Sequence, residues 1–323
     1  MTQPPPPPGV TAAALHAGAP LPGSWRAYLE LTKPGITRLV LVTTAVGVAL
    51  GVFSTREFTA EHLALGALCL LGTALCSASA NALNQVWEWK RDALMPRTCA
   101  RPVPTRRIDP GRGALFGVGC GVAGVSLLAT LVTPASAVVA LATILIYVLL
   151  YTPSKVVSTA STILGAVPGA LPPVIGYAAI GGFGSLAEPA PWTLFSIMFL
   201  WQIPHFLAIA WMHRDDYARG GFRVLPLEDP DGRRTARAAL VWSVCLAPLS
   251  LTPIIAMPWL FGWVYAPAAV LLSVFLVRRA MRFGRRRDRD SARGLFLASI
   301  AHLPMLLLAL VADAAIGAVV GGV

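Results

Sequence analysis

The chain has 323 residues, of which 56% are hydrophobic and only 13% are charged. Soluble domains carry about 25% charged residues. This composition, with a mean hydropathy of +0.67, therefore excludes an ordinary soluble globule. The formal net charge of +11 fits either a nucleic-acid partner or basic loops at a membrane surface, and the positions of the charges decide between them.

The N-terminal segment differs in composition from everything that follows it. The first 24 residues contain seven Pro and no Lys or Arg, which is typical neither of a signal peptide nor of a transit peptide. We therefore predict a disordered, Pro-rich cytoplasmic tail over residues 1–27. Residues 28–323 are expected to form a single transmembrane domain.

Nine apolar runs follow, each close to the length that a helix needs to cross a hydrocarbon core about 30 Å thick. The runs lack the alternating polarity of a β-barrel strand, so we predict an all-α, polytopic membrane bundle of about nine helices. The third and fourth runs are nearly contiguous, as are the seventh and eighth, which predicts two tight hairpins. The predicted spans are 35–53, 62–86, 113–132, 135–151, 159–180, 191–212, 238–257, 259–277 and 295–319.

Positive charge is distributed very unequally between the two sides of these spans. Of the 26 Lys and Arg residues, 25 fall on the N-terminal side or on the loops after spans two, four, six and eight, and only Arg56 falls opposite. Cytoplasmic loops carry such an excess. The charge therefore indicates a cytoplasmic N-terminus rather than a nucleic-acid partner.

Acidic residues at the ends of two spans are the first candidates for chemistry. Asn84, Glu88 and Asp92 are spaced by four residues, so they form one stripe on a helix. Asp215 and Asp216, with Tyr217, follow span six on the same side of the membrane. Carboxylate and amide oxygens are the ligands that Mg²⁺ prefers, and a substrate phosphate often completes its shell. The two clusters therefore predict a shared metal and diphosphate site.

Cations are concentrated in the same loops. Arginine forms bidentate contacts with phosphate oxygens, and lysine acts as a point charge. These loops are thus expected to bind a diphosphate. The cations are Lys90, Arg91, Arg97, Arg101, Lys155 and Arg214.

Several motifs, in order, resemble the UbiA superfamily of intramembrane prenyltransferases and, within it, the branch that farnesylates haem. The resemblance extends from about residue 28 to residue 310. Its motifs are LTKPGIT (31–37), the Asn84, Glu88, Asp92 spacing followed by MPRTCARPVP (95–104), YTPSK (151–155), GALPPVIGY (169–177), WQIPHF (201–206), DDY (215–217) and ARGLFLASIAHLP (292–304).

The resemblance implies a reaction and a set of roles. It implies an Mg²⁺-dependent transfer of the farnesyl group of farnesyl diphosphate to the 2-vinyl group of haem b, with addition of water, to make haem O for terminal oxidase assembly. It implies a bacterial inner-membrane location, a cytoplasmic active site, and haem A synthase as a further partner. The implied metal-binding and catalytic residues are Asn84, Glu88, Asp92, Asp215 and Asp216, and the implied diphosphate-binding residues are Lys33, Arg91, Arg97, Arg101, Lys155, Arg214 and Tyr217.

The acceptor pocket is predicted from fewer residues. Tyr151 and His205 are its candidates, and a haem substrate makes His205 a candidate for axial contact. A lone intramembrane histidine is otherwise a packing residue. The chain also departs from the family pattern at Glu88, where many relatives carry Asp, and at His302, where Tyr is common.

Three other functions stay open at this point. A prenyltransferase for an aromatic quinone precursor would share the metal site and differ in the acceptor pocket. A transporter would also have many spans with Pro and Gly, but no inverted repeat is evident and the ionisable residues gather at one membrane face. A non-catalytic haem-binding assembly factor would not need the carboxylates.

Overall fold

The computed structural model describes residues 23–55, 57–261 and 263–320, and these ranges are helical with no β-strand. Most of the predicted tail (1–22) and Arg56 lie outside the described residues. In chain order the helices are α1 (Trp25–Leu31), α2 (Pro34–Thr55), α3 (Ala60–Asp92), α4 (Pro110–Leu131), α5 (Pro134–Ser154), α6 (Ser161–Ala170), α7 (Pro172–Ser185), α8 (Pro189–Met212), α9 (Arg214–Arg219), α10 (Arg233–Leu249), α11 (Thr252–Ala256), α12 (Tyr265–Arg286) and α13 (Arg289–Val320).

Capping residues explain where several helices begin. Asp109 and Thr133 precede α4 and α5, and their side chains accept hydrogen bonds from backbone N–H groups of the first turn. Pro110 and Pro134 follow as the first helical residues, where the missing N–H group has no intrahelical partner to lose. The α4–α5 hairpin is therefore as tight as the sequence predicts.

Eight helical segments in the described part of the chain are long and apolar enough to cross a membrane. The eighth predicted span, 259–277, corresponds to α12, which packs between α10 and α13 and carries Arg278, Arg279 and Arg282 in its second half. Because of these charges, and not because of its length, α12 is not one of the eight apolar segments. The predicted class, a polytopic helical bundle, is confirmed.

Two predicted boundaries are wrong. The tail was expected to extend to residue 27, but α1 begins at Trp25, after the N-cap Ser24. The second hairpin was expected to be tight, but residues 257–264 separate α11 from α12. Met257 leaves the helical region at φ −140° and ψ 60°, because a residue before proline is disfavoured in α conformation.

The helices pack in sequence around the bundle, and α13 closes against α2. Glycine allows a close contact between α2 and α7. A Cβ atom at Gly47 would collide with the carbonyl oxygen of Pro173, and one at Gly176 with that of Thr44. Helices α2, α3, α5, α6, α7 and α8 thereby enclose a cavity.

Candidate functional site

A cavity of about 510 Å³ lies within the bundle. One face of α3 lines it from Thr73 to Asp92, which is a length of about 28 Å at 1.5 Å per residue. Charged side chains cluster at the Asp92 end. Toward Thr73 the wall becomes apolar and includes Ile144 and Ile175.

The predicted acidic stripe lies at the charged end of this cavity. Asn84, Glu88 and Asp92 all line it, and their exposed fractions are 1%, 5% and 1%. A buried carboxylate is strongly destabilising unless it is paired. The arrangement therefore requires a compensating cation for each carboxylate.

Each carboxylate has such a cation. Lys155 Nζ lies 2.8 Å from Glu88 Oε1, and Arg101 Nη1 lies 2.8 Å from Asp92 Oδ2. Asn84 joins the set by donating to Glu88 Oε2 at 2.9 Å. Burial lowers the pKa of Lys155, but Glu88, Tyr147 and Tyr217 together raise it by more, so the net result is a raised pKa. Lys155 therefore keeps its positive charge next to Glu88.

Lys33 completes the group from the junction between α1 and α2. Its Nζ donates to Asn84 Oδ1 at 2.8 Å, and its backbone is held at φ 50°, a left-handed conformation that is unusual outside glycine. Burial lowers the pKa of Lys33 to about 7, and the charges of Arg101 and Lys155 act in the same direction. Lys33 is therefore the weakest base among the cavity cations.

Helix α5 changes its geometry next to this group. Residues Ile146–Tyr151 form a π-helical turn, a feature that is frequent at functional sites. Thr152 follows it, donates to the carbonyl of Tyr147 at 2.8 Å and accepts from Asn84 at 3.1 Å. The turn thus brings α5 into the hydrogen-bond network of the stripe.

The second acidic cluster is placed differently. Asp215 is exposed, and neither Asp215 nor Asp216 lines the cavity. Asp216 is 3.9 Å from His213 and from Arg219, and burial together with the Arg97 charge lowers the pKa of that histidine. Among the described residues, no three His, Cys, Asp or Glu side chains are close enough to hold a metal ion. The convergence of the two clusters on one metal therefore stays a prediction, with Tyr217, the residue after Asp216, lining the cavity.

The predicted diphosphate-binding residues divide into two groups. Lys33, Arg97, Arg101, Lys155 and Tyr217 line the cavity. Two others do not: Arg91 donates to the carbonyl of Gly220 at 3.0 Å, and Arg214 lies over the Trp211 ring.

The segment after α8 covers the charged end of the cavity, and we call residues 213–228 the cap. Tyr217, Phe222 and Val224 of the cap line the cavity. Arg223 attaches it to the loop after α5, because its backbone N–H donates to the carbonyl of Lys155 at 2.7 Å and its guanidinium to that of Val157 at 3.0 Å. A second attachment is the Arg91 contact with the cap.

Sequence reasoning missed the cap. Phe222, Val224 and Arg223 carry no motif in our sequence analysis. A signal was available at Gly220 and Gly221, the second of which has φ +66°, since adjacent glycines after an acidic turn indicate a chain reversal. Thr152 was also missed, because only the π-helical turn directs it toward α3.

Both predicted acceptor residues line the cavity. The Tyr151 ring lies 4.5 Å from Lys155 Nζ and fills the space beside Gly165, where a Cβ atom would overlap it. His205 stands further along α8, and its Nδ1 is 2.8 Å from Ser299 Oγ. His302 is fully buried and does not line the cavity.

Comparison with known proteins gives a family match. The UbiA prenyltransferase family profile matches residues 40–301. The chain is 41% identical to a protein named protoheme IX farnesyltransferase from Solibacter usitatus, over 87% of this chain and 96% of that protein. It is 39% identical to a protein of the same name from Opitutus terrae, over 88% and 94%.

Solved structures share the fold. One described as digeranylgeranylglyceryl phosphate synthase superposes with a TM-score of 0.71 at 16% identity, covering 90% of this chain and 98% of that chain. A UbiA homologue from Archaeoglobus fulgidus bound to GPP and Mg²⁺ gives a TM-score of 0.61 at 16% identity, with 88% and 99% covered.

Proposed function

Because the chain belongs to the UbiA prenyltransferase family, we propose that it transfers the farnesyl group of farnesyl diphosphate to the 2-vinyl group of haem b. Addition of water then gives haem O. The observation that carries this proposal is one cavity with buried, ion-paired carboxylates at one end and a long apolar wall at the other. The names of relatives at 39–41% identity support the choice of substrates.

The donor set of the acidic stripe suits a divalent metal. Glu88 and Asp92 offer hard carboxylate oxygens at the cavity surface, and Mg²⁺ normally takes one or two such groups beside substrate phosphates. In this proposal these two residues and Asn84 would hold Mg²⁺, which would neutralise negative charge on the departing diphosphate. Asp215 and Asp216 are proposed as further ligands from the cap, next to the cavity-lining Tyr217.

The cavity cations hold the diphosphate in this proposal. Arg101 uses one guanidinium nitrogen on Asp92 and keeps its other N–H groups for phosphate oxygens. Lys155, Lys33 and Arg97 face the same volume. Their summed positive charge favours departure of an anionic leaving group. The proposed diphosphate-binding set also includes Arg214 and Tyr217, which belong to the cap, and Arg91, which is hydrogen-bonded to the cap at Gly220.

The apolar wall controls the fate of the farnesyl cation. When the allylic C–O bond breaks, its electron pair leaves with the diphosphate, and a delocalised carbocation remains. The vinyl π electrons of haem b form the new C–C bond, and the cation that results on the porphyrin side chain takes up water and loses a proton. Phe222 and Val224 of the cap line the cavity, and in this proposal they exclude water before capture.

The chain is a multi-pass membrane protein. We propose that it resides in the bacterial inner membrane with its N-terminus and active site at the cytoplasmic side. The eight arginines between Arg278 and Arg293 lie on the side expected to face anionic lipid head groups. Haem A synthase is proposed as the partner that receives the product.

The test is reconstitution of the full chain in lipid with haem b, farnesyl diphosphate and Mg²⁺, followed by mass spectrometry of the haem. We expect a hydroxyethylfarnesyl haem that is absent when a chelator is added. A parallel reaction replaces haem b with an aromatic quinone precursor. Prenylation of that acceptor alone would assign the alternative acceptor, and absence of product with both acceptors would refute the prenyltransferase assignment.

A further inference from the structure

His205 is held on three sides. Its ring stacks with Trp201, at a centroid distance of 4.9 Å, and with Phe296, at 5.1 Å. Ser299 Oγ contacts Nδ1 at 2.8 Å. Trp201 is fixed in turn, because its indole N–H donates to the carbonyl of Ser299 at 2.8 Å. The imidazole therefore has little freedom to rotate.

The hydrogen bonds of Ser299 determine which ring nitrogen of His205 carries the proton. The Ser299 hydroxyl has a single proton, and it donates that proton to the carbonyl oxygen of Phe296 at 2.6 Å. A carbonyl oxygen cannot donate. Ser299 Oγ must therefore accept from Nδ1–H of His205, which leaves the lone pair of the neutral ring on Nε2.

The Nε2 edge is the part of the ring left for the cavity. The ring stacks with Trp201 of α8 and Phe296 of α13, and Nδ1 is bonded to Ser299, yet His205 lines the cavity. No described residue hydrogen-bonds to its Nε2, and this atom is not among the buried polar atoms that lack a partner. Among the described histidines, His205 is the one that lines the cavity.

An imidazole with Nδ1–H bound to an oxygen and Nε2 directed into a cavity has the usual arrangement of a metal-bound histidine. We propose that Nε2 of His205 is an axial ligand to the iron of the haem b substrate, and that Ser299 is the positioning residue that sets its tautomer. This inference rests on the proposed function for the identity of the substrate. Coordination at Nε2 fixes the porphyrin plane relative to α8, so that one edge of the macrocycle faces the farnesyl donor.

The test is spectroscopic and does not depend on turnover. Ferric haem b is titrated into the full-length protein in lipid nanodiscs, and the Soret band and electron paramagnetic resonance spectrum are recorded. We expect the wild type to show imidazole ligation and His205→Ala to lose it. Imidazole added in solution should restore the spectrum in His205→Ala. His62→Ala, at the opposite end of the bundle, is the matched control and should leave the spectrum unchanged.

Ser299 is tested by two variants. Ser299→Ala should weaken haem affinity by about 10- to 100-fold, which is the usual effect of removing a group that orients a metal ligand. Ser299→Thr keeps the hydroxyl and should restore the affinity. Binding of farnesyl diphosphate, measured on every variant, shows that the fold is retained.

The outcomes separate this inference from the function on which it rests. Haem b that binds His205→Ala with the wild-type spectrum, or a wild type without imidazole ligation, would overturn the axial assignment even when farnesylated haem is formed. A Ser299→Ala variant with wild-type affinity and spectrum would overturn the positioning role. Imidazole ligation in a wild type that forms no farnesylated haem would leave the axial assignment standing and refute the proposed function.

Discussion

The two acidic clusters lie at the ends of different helices and are held in different ways. Glu88 and Asp92 are buried, line the cavity and have cations at 2.8 Å. Asp216, on the cap, has the Arg219 guanidinium at 3.9 Å, and Asp215 is exposed. Burial forces a carboxylate to have a close partner, whereas water solvates an exposed one. The first cluster is therefore preorganised, and the second is free to adjust to a ligand.

The largest effect is expected from Asp92→Ala. It removes a proposed metal ligand and leaves the partly buried Arg101 without its carboxylate, so we expect product formation to fall by about 10³-fold. The measurement is kcat/KM for haem O formation, with thermal unfolding to show that the bundle persists. Asp290→Ala, an exposed aspartate of α13, is the control. Wild-type activity in Asp92→Ala would remove the first cluster from the reaction.

Two substitutions at Glu88 distinguish the effect of its charge from the effect of its side-chain length. Glu88→Gln keeps the size but removes the charge that pairs with Lys155, and a loss of about 10²-fold is expected. Glu88→Asp keeps the hard oxygens, so its activity should stay within about tenfold of wild type. Mg²⁺ titration of the activity distinguishes the two variants. Equal losses in both would show that geometry, not charge, matters at this position.

The cap attachment provides an intermediate effect. Arg223→Ala removes the guanidinium contact with the loop after α5, so water should enter the cavity more easily and KM for farnesyl diphosphate should rise about tenfold. Steady-state kinetics report this change. The matched control is Arg233→Ala, whose ion pair with Asp231 is largely exposed. An unchanged KM in Arg223→Ala would mean that the cap closes without this contact.

The smallest effect on stability is expected from the second cluster. Surface ion pairs contribute about 0.2–1 kcal/mol, so Asp216→Ala should leave the unfolding temperature nearly unchanged. Its activity should still fall, more than that of Asp215→Ala, because only Asp216 is partly buried beside the cavity. A marked loss of stability in Asp216→Ala would contradict the contrast between the clusters.

Sequence reasoning succeeded where helix geometry determines position. Residues 84, 88 and 92 share one face of any α-helix, so their common placement follows from spacing alone. The position of Asp215 relative to them does not follow from spacing, because the helix breaks at His213, which has φ −117° and ψ 24°. Loop conformations depend on long-range contacts such as the one between Arg223 and Lys155, and these contacts have no periodic signature in the sequence.

The attachment of the cap at Lys155 has a consequence for how mutations act. The bond from Arg223 N–H is made to the Lys155 main-chain oxygen, which every amino acid possesses. Replacement of the lysine side chain thus removes a positive charge but keeps the backbone hydrogen bond that attaches the cap. Substitutions at position 155 can consequently change the charge in the cavity without changing this attachment of the cap.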